Sequence, residues 1–236
     1  MLRPVDHHHH RFFTDHRWAV AGSAVLYAAA AAVFITMAVA PTALQPLDDW
    51  WHRQMVANEA GWLTAIARTL DIVGGTYVTW PLRFAVAVLL GVRRRWVLLG
   101  YWVATVAISE ASIGLLKSAY DRPRPPLSLV ETTGASFPSG HSVAVAALAI
   151  SLVIVLLAPG AERRVWELRA GGFAVLMALS RPYLRAHWLT DAAAGLLLGA
   201  ATALLLAGAA DAILERRARG RRTPAAPRIP AGEPGP

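Results

Sequence analysis

Six apolar segments, separated by short polar stretches, constrain the fold of this chain more than any other feature of its sequence. They are Trp18–Ala40, Ile72–Val92, Trp96–Leu116, Ser142–Ala158, Val165–Ser180 and Leu189–Ala210. As a helix, the uncharged first segment would span roughly 35 Å, enough to cross the hydrocarbon core of a bilayer. With 56% hydrophobic and 16% charged residues among 236, the chain is too apolar for a soluble domain. The sequence therefore predicts an all-α fold, a six-transmembrane helical bundle.

Two of these segments contain charged residues. Arg83 lies inside the second segment, where we expect it to reach an interface or to find a partner. Glu167 and Arg169 fall in the first turn of the fifth segment, which is the weakest of the six as a membrane span. Glu110, inside the third segment, lies seven residues before Lys117 and hence on the same helical face. It could support Lys117 or simply pack toward the bundle interior.

The arginines indicate the orientation in the membrane, because cytoplasmic loops carry an excess of Lys and Arg. The turn at Arg93–Arg95, the connection with Arg163 and Arg164, and both chain ends would share the cytoplasmic side. We expect a cytoplasmic segment at 1–17, a six-span domain at 18–214 and a disordered basic cytoplasmic tail at 215–236. The net charge is +8, but the basic residues flank apolar segments and form no nucleic-acid-binding module. We therefore expect no nucleic-acid partner.

Three other features exclude or limit particular roles. The chain has no cysteine, which rules out disulfides and thiolate chemistry. The run His7–His10 lies outside the apolar segments and is poor evidence for a native metal site. The segment Thr42–Gly61, with Asp48, Asp49 and two tryptophans, is typical of an interfacial loop or a short amphipathic helix.

Polar residues that could bind or react with a substrate cluster where the third and fourth segments face the proposed outer side. Lys117 and Arg124-Pro125 follow the third segment, and Pro138-Ser139-Gly140-His141 opens the fourth. A helix that begins with a capping serine and a glycine offers free backbone N–H groups to an anion. Each stretch taken alone also fits an ordinary helix end.

A third polar stretch joins the fifth and sixth segments. It contains Ser180-Arg181, His187 and Asp191, and the last two are four residues apart at the start of a helix. On one helical face, Asp191 could accept the Nδ1 proton of His187 and leave Nε2 free as a nucleophile or base. A helix-start carboxylate beside an interfacial histidine is the simpler interpretation of the stretch alone.

Together the three stretches closely resemble the signature of the type 2 phosphatidic acid phosphatase and vanadium haloperoxidase superfamily. That signature reads Lys, six residues, Arg-Pro; then Pro-Ser-Gly-His; then Ser-Arg, five residues, His, three residues, Asp. The resemblance implies a membrane lipid phosphatase whose active site lies at the extracytoplasmic ends of the helices. It implies His187 as nucleophile, His141 as general acid and base, and Asp191 as the residue that orients His187. It assigns phosphate binding to Lys117, Arg124, Ser139, Gly140 and Arg181, with no metal and no cofactor.

Several alternatives stay open at this stage. The substrate could be a polyprenyl diphosphate, phosphatidic acid or phosphatidylglycerophosphate, and the same phosphohistidine could pass its phosphoryl group to a lipid acceptor. A non-catalytic lipid-binding membrane protein is a third possibility, although it would need neither histidine. Arg122 and Arg185 are extra cations that could meet a second phosphate or a headgroup, or could be surface residues.

Overall fold

The structure, a computed structural model, describes residues 16–220. Within this range the chain forms eight helices and no strand, which confirms the predicted all-α class. In chain order, the helices are α1 His16–Val39, α2 Gln45–Ala57, α3 Gly61–Gly74, α4 Thr76–Val92, α5 Trp96–Tyr120, α6 Gly140–Leu156, α7 Ala161–Tyr183 and α8 Leu189–Gly220.

The second predicted segment is helical, but it is not the single span expected from Ile72 to Val92. It is divided between α3 and α4, which meet at Gly75 with a bend of 44°. Gly75 has extended backbone angles, and its N–H bonds to the carbonyl of Ile72. Two consecutive glycines, Gly74 and Gly75, have the low helix propensity that permits such a break.

Three of the described helices are long and apolar enough to cross a membrane: α1, α5 and α8. The bent pair of α3 and α4 passes the same test as one unit, which gives up to four spans. Helix α6 is apolar but has only 17 residues, and α7 carries Glu162, Arg163, Arg164, Glu167 and Arg169 in its first half. The protein is a membrane protein, and its six-span arrangement is a proposal taken up below.

Helix α8 lies at the centre of the bundle, between α1 and α6. Small residues allow its backbone to approach α6 closely, as in many membrane helix pairs. A Cβ atom added at Gly199 would lie 2.3 Å from the carbonyl oxygen of Val143, and one at Gly195 would lie 2.6 Å from that of Ser139. The start of α6 is therefore held against the second and third turns of α8.

Helices α1 and α8 run in opposite directions. The Tyr27 and Thr202 hydroxyls are 2.9 Å apart, while Met37 shares a cluster with Ala194 and Phe137 at the other end. Consequently the connections between α5 and α6 and between α7 and α8 lie at one end of the bundle. Residues 16 and 220 lie at the other end, with the turn at 93–95.

Arg83 has found a partner inside the bundle. Its NH1 atom lies 2.5 Å from Oε1 of Glu110 on α5, and its guanidinium lies over the ring of Trp80. Only 4% of Arg83 is exposed, so the ion pair compensates a charge that would otherwise be costly at this depth. Glu110 thus forms an ion pair with Arg83 and does not support Lys117.

Two further expectations concern the ends and the interfacial segment. The segment Thr42–Gly61 forms helix α2, which is the second of the two forms expected for it. Helix α8 continues to Gly220, so the first residues of the expected tail, 215–220, are helical. The run His7–His10 and residues 221–236 lie outside the described range.

Candidate active site

The three polar stretches meet at one end of the bundle. Lys117 lies in the last turn of α5 and Gly140 begins α6. Arg181 lies in the last turn of α7, and His187 stands just before α8. Because α5 and α6, like α7 and α8, are antiparallel neighbours joined at this end, residues far apart in the chain converge on one site.

His187 is buried, with only 4% of its surface exposed, and its tautomer is defined by the backbone. Its Nδ1 atom lies 2.7 Å from the carbonyl oxygen of Ser136. A carbonyl oxygen can only accept a hydrogen bond, so Nδ1 carries the proton and Nε2 keeps its lone pair. Nε2 lies 3.4 Å from NH1 of Arg124. Burial lowers the pKa of His187 to about 4, so the ring is neutral at physiological pH.

The predicted hydrogen bond from His187 to Asp191 is wrong in its detail. Oδ2 of Asp191 lies 3.6 Å from Nδ1 of His187, which is too far for a hydrogen bond. Nδ1 donates its hydrogen bond to the Ser136 carbonyl instead. The reason is that α8 begins at Leu189, so His187 precedes the helix and is not one turn before Asp191. Oδ2 instead accepts hydrogen bonds from the Ser136 hydroxyl and from the Trp188 amide, at 2.9 Å. Asp191 therefore holds the loop around His187 and places a buried negative charge near the ring.

Lys117 and Arg124 are anchored by backbone carbonyls. Nζ of Lys117 donates to Ala135, and the guanidinium of Arg124 donates to Thr133, Gly134, Ala135 and Ala186. Among the residues that the structure describes, neither cation contacts a carboxylate. Burial, together with the nearby charge of Arg181, lowers the pKa of Arg124. An anion bound here would offset this accumulation of positive charge.

Arg181 and His141 share a carboxylate that sequence reasoning missed. NH1 of Arg181 donates to Oδ1 of Asp71, on α3. Nε2 of His141 lies 3.2 Å from the backbone carbonyl of Asp71 and 3.3 Å from its Oδ1. Nε2 of His141 therefore carries a proton, and Asp71 fixes both side chains at the edge of the site. The lone carboxylate directly before the apolar run at Ile72 was its only signal in the sequence.

Ser139 caps α6, as predicted from its position. Its hydroxyl accepts hydrogen bonds from the amide of Ser142, at 3.4 Å, and from the hydroxyl of Ser142, at 3.0 Å. The hydroxyl proton of Ser139 stays available, since a hydroxyl accepts two bonds and donates one. The amide of Ser139 donates to the carbonyl of Asp191 at 3.0 Å, which ties the start of α6 to α8. The Cβ that Gly140 lacks would lie 3.9 Å from Cε of Lys117, so this glycine lies beside the cations.

Arg122 and Arg185 are not surface residues, which corrects one of the two alternatives; contact with a second phosphate or a headgroup stays a prediction. Arg122 is buried and bonds to Asp48 and Asp191. Arg185 is also buried, and its NH2 atom lies 2.7 Å from Oε2 of Glu59. Within the described part of the chain, no group of three or more His, Cys, Asp or Glu side chains could hold a metal ion.

The arrangement is therefore a neutral imidazole whose unprotonated Nε2 faces Arg124, beside two further cations and the start of a helix. A family model described as the PAP2 superfamily matches residues 96–213, which include all of the predicted site residues. The chain belongs to the PAP2 superfamily.

The chain is also similar to individual proteins, one by sequence and two by structure. Phosphatidylglycerophosphatase B of Bacillus subtilis (strain 168) is 28% identical over 183 residues, which cover 75% of this chain and 89% of the relative. A crystal structure of a transmembrane PAP2-type phosphatidylglycerolphosphate phosphatase from Bacillus subtilis aligns with a TM-score of 0.64 and 23% identity, covering 85% of this chain and 98% of that one. LpxE of Aquifex aeolicus aligns with a TM-score of 0.55 and 20% identity, covering 66% and 91% respectively. The two structural alignments show a shared fold.

Proposed function

We propose that this PAP2 protein is an integral membrane phosphatase that hydrolyses a lipid phosphate or diphosphate through a phosphohistidine at His187. The observation that carries the proposal is the tautomer of His187. Its Nδ1 donates to the Ser136 carbonyl, and its unprotonated Nε2 lies 3.4 Å from Nη1 of Arg124. A lone pair beside a guanidinium is where an anionic electrophile such as a phosphoryl group would be attacked.

In the first step, Nε2 of His187 forms a bond to phosphorus while the bond from phosphorus to the lipid oxygen breaks. Lys117, Arg124 and Arg181 stabilise the negative charge on the phosphoryl oxygens, helped by the Ser139 hydroxyl and the amide of Gly140. Positive charge develops on His187 as the bond forms, and the buried carboxylate of Asp191 stabilises it. These cations supply the charge stabilisation for which other phosphatases use a metal, so we expect activity to survive chelation.

His141 handles the protons in both steps. His141 acts as the acid in its doubly protonated form: its Nε2 proton stays with Asp71, and the proton given to the leaving oxygen comes from Nδ1. In the second step, Nδ1 removes a proton from water while the water oxygen attacks phosphorus and the bond to His187 breaks. Inorganic phosphate leaves and both histidines return to their starting forms.

The substrate proposed for first testing is phosphatidylglycerophosphate, because a relative 28% identical over most of this chain is named as a phosphatidylglycerophosphatase. Phosphatidic acid and undecaprenyl diphosphate are the alternatives within the same chemistry.

We also propose that six spans, within a domain at 18–214, place the site outside the cytoplasm. The apolar helices and the position of the site at the end of the bundle away from residues 16 and 220 support this arrangement.

The test is phosphate release by the purified protein from each of these lipids, in detergent containing EDTA. We expect wild type to release phosphate, and His187→Gln to lose activity on every lipid. The matched control is His52→Gln, which removes a histidine of α2 to which no catalytic role is assigned. Analysis of the lipid products separates hydrolysis from transfer to a lipid acceptor. Equal turnover in wild type and His187→Gln would overturn the proposal.

A further inference from the structure

Helix α2 contains one buried residue, and that residue is charged. Asp48 is 1% exposed, although its helical neighbours Leu47 and Trp50 are exposed. A carboxylate is costly to bury unless it is hydrogen-bonded and close to an opposite charge. The contacts of Asp48 therefore indicate what it does.

Both carboxylate oxygens of Asp48 reach into the site. Oδ1 accepts a hydrogen bond from the amide of Thr190 at 2.9 Å. Oδ2 accepts one from the Thr190 hydroxyl at 2.6 Å and one from NH2 of Arg122 at 2.7 Å. Thr190 is the residue directly before Asp191 in the first turn of α8, so α2 is fixed to the helix that carries the proposed partner of His187.

Arg122 continues the connection to Asp191. Its NH1 atom lies 2.5 Å from Oδ1 of Asp191, and it donates to the Thr190 hydroxyl at 2.9 Å. One guanidinium, 7% exposed, thus bridges two carboxylates that are both buried. The planar fork of an arginine suits this bridging geometry, because its two terminal nitrogens point in different directions.

From this arrangement we propose that Asp48 is a positioning residue of the phosphatase site, acting through Arg122 on Asp191. The proposal rests on the proposed function. Two carboxylates and one guanidinium carry a net charge of −1, so negative charge remains beside His187 while it becomes phosphorylated. Without the charge of Asp48, Arg122 would neutralise Asp191. The developing positive charge on His187 would then lose its stabilisation.

The experiment compares Asp48→Asn with Asp49→Asn in the phosphate-release assay. Asparagine at position 48 can still accept the hydrogen bond from the Thr190 amide but carries no charge toward Arg122. Asp49 is on the same helix and accepts a hydrogen bond from Gln45, which asparagine can also accept. We expect Asp48→Asn to lower kcat about 10- to 100-fold, the size of effect known for residues that orient metal-bound histidines. KM should change by less than about threefold, because the lost interaction acts in the transition state. Asp49→Asn should match wild type.

A second comparison separates positioning from a purely structural role. In the Asp191→Asn background, where His187 and the three cations remain and we expect residual activity, Asp48→Asn should cause no further loss, because its effect passes through Asp191. The same loss in both backgrounds would show that Asp48 only fixes α2 in place and would overturn the proposal. Equal kcat for Asp48→Asn and wild type would also overturn it.

Two other results are a variant that does not fold and a wild type that releases no phosphate. If Asp48→Asn does not fold, Thr190→Val takes its place, since it removes the hydroxyl between Asp48 and Arg122 while keeping all charges and nearly the same shape. We expect it to lower kcat at least about threefold at unchanged KM, a loss comparable to that of one hydrogen bond; an unchanged kcat contradicts the proposal. Absence of phosphate release by wild type would mean that the proposed function has failed, and the role of Asp48 with it.

Discussion

At the residue scale, the site depends on a histidine that the fold keeps neutral. The Ser136 carbonyl fixes the tautomer of His187, and burial lowers its pKa to about 4. In an unfolded chain the same ring has a pKa near 6.5. At mildly acidic pH, the His187 ring is therefore protonated in the unfolded chain and neutral in the folded protein. This difference makes the free energy of unfolding depend on pH.

We predict that the stabilising effect of wild-type His187, relative to His187→Gln, shrinks as pH falls from 7 to 5. Below the pKa of His187 in the unfolded chain, the unfolded state binds a proton that the folded state does not bind. Protonation therefore stabilises the unfolded state as the solution becomes more acidic. Between these pH values the difference in unfolding free energy should fall by about 2 kcal/mol. Denaturant unfolding of both proteins in one detergent measures it. A difference that stays constant with pH would show that His187 titrates normally in the folded protein.

The sequence identified the residues of the three motifs, but not all of their partners. Ser136 and Asp71 each contact a motif residue, Asp48 contacts Thr190 beside one, and all three lie outside the matched motif positions. Spacing along one helix predicts neighbours on that helix, whereas these contacts join different helices or loops. For the same reason the expected bond between His187 and Asp191 failed, because it assumed a helix that begins only at Leu189.

At the element scale, the geometry of the site depends on how closely α6 and α8 approach. Gly195 faces the carbonyl of Ser139, and Gly199 faces that of Val143 one turn deeper. We predict that Gly195→Ala moves the start of α6, where Ser139 and His141 lie, and lowers kcat strongly. Gly199→Ala should cost about 1–3 kcal/mol of stability, as expected for overpacking.

The control for both glycines is Gly114→Ala on α5, where an added Cβ meets no atom within 4 Å. There the substitution should leave activity unchanged and should raise stability by up to about 1 kcal/mol, because alanine favours a helix more than glycine does. Thermal unfolding and phosphate release are measured for all three variants. Wild-type activity in Gly195→Ala would contradict the close contact between α6 and α8.

The elements themselves were largely predictable from hydrophobicity, since each of the six apolar segments lies in a helix. The exception was the break at Gly75. An apolar pattern does not reveal where two helices meet at an angle, and α3 begins at Gly61, well before the apolar run at Ile72. The bend was not predictable because it also depends on contacts across the bundle, such as that of Asp71 with Arg181 on α7.

At the scale of the whole molecule, the distribution of charge supports the proposed orientation. Several cations on the proposed outer side are committed to the site and its surroundings: Lys117, Arg122, Arg124, Arg181 and Arg185. The exposed turn at Arg93–Arg95 lies at the opposite end of the bundle. Cations held inside a site do not set topology, so the exposed arginines favour a cytoplasmic position for that end.

Cysteine labelling tests this orientation and the six-span count, and the absence of native cysteine makes each label unambiguous. We predict that Ser128→Cys reacts with an impermeant reagent from outside the cell. Arg94→Cys and Ala158→Cys should react only after the membrane is opened. Ala158 lies between α6 and α7, so labelling from outside at this position would reduce the number of spans. Labelling of Ser128→Cys only from the cytoplasm would place the site in the other compartment.

The central claim, that His187 is the nucleophile and His141 the acid and base, is tested most directly by trapping the phosphoenzyme. A radiolabelled substrate with a good leaving group, such as an aryl phosphate or a polyprenyl diphosphate, is mixed with His141→Ala and quenched rapidly. This variant can still form phosphohistidine, because such a leaving group needs little protonation, but it hydrolyses the intermediate slowly for lack of a base. We predict an acid-labile, base-stable phosphoprotein that accumulates in His141→Ala and is absent when His187 is also replaced by Gln. Absence of phosphoprotein from His141→Ala, or its persistence without His187, would contradict these two roles.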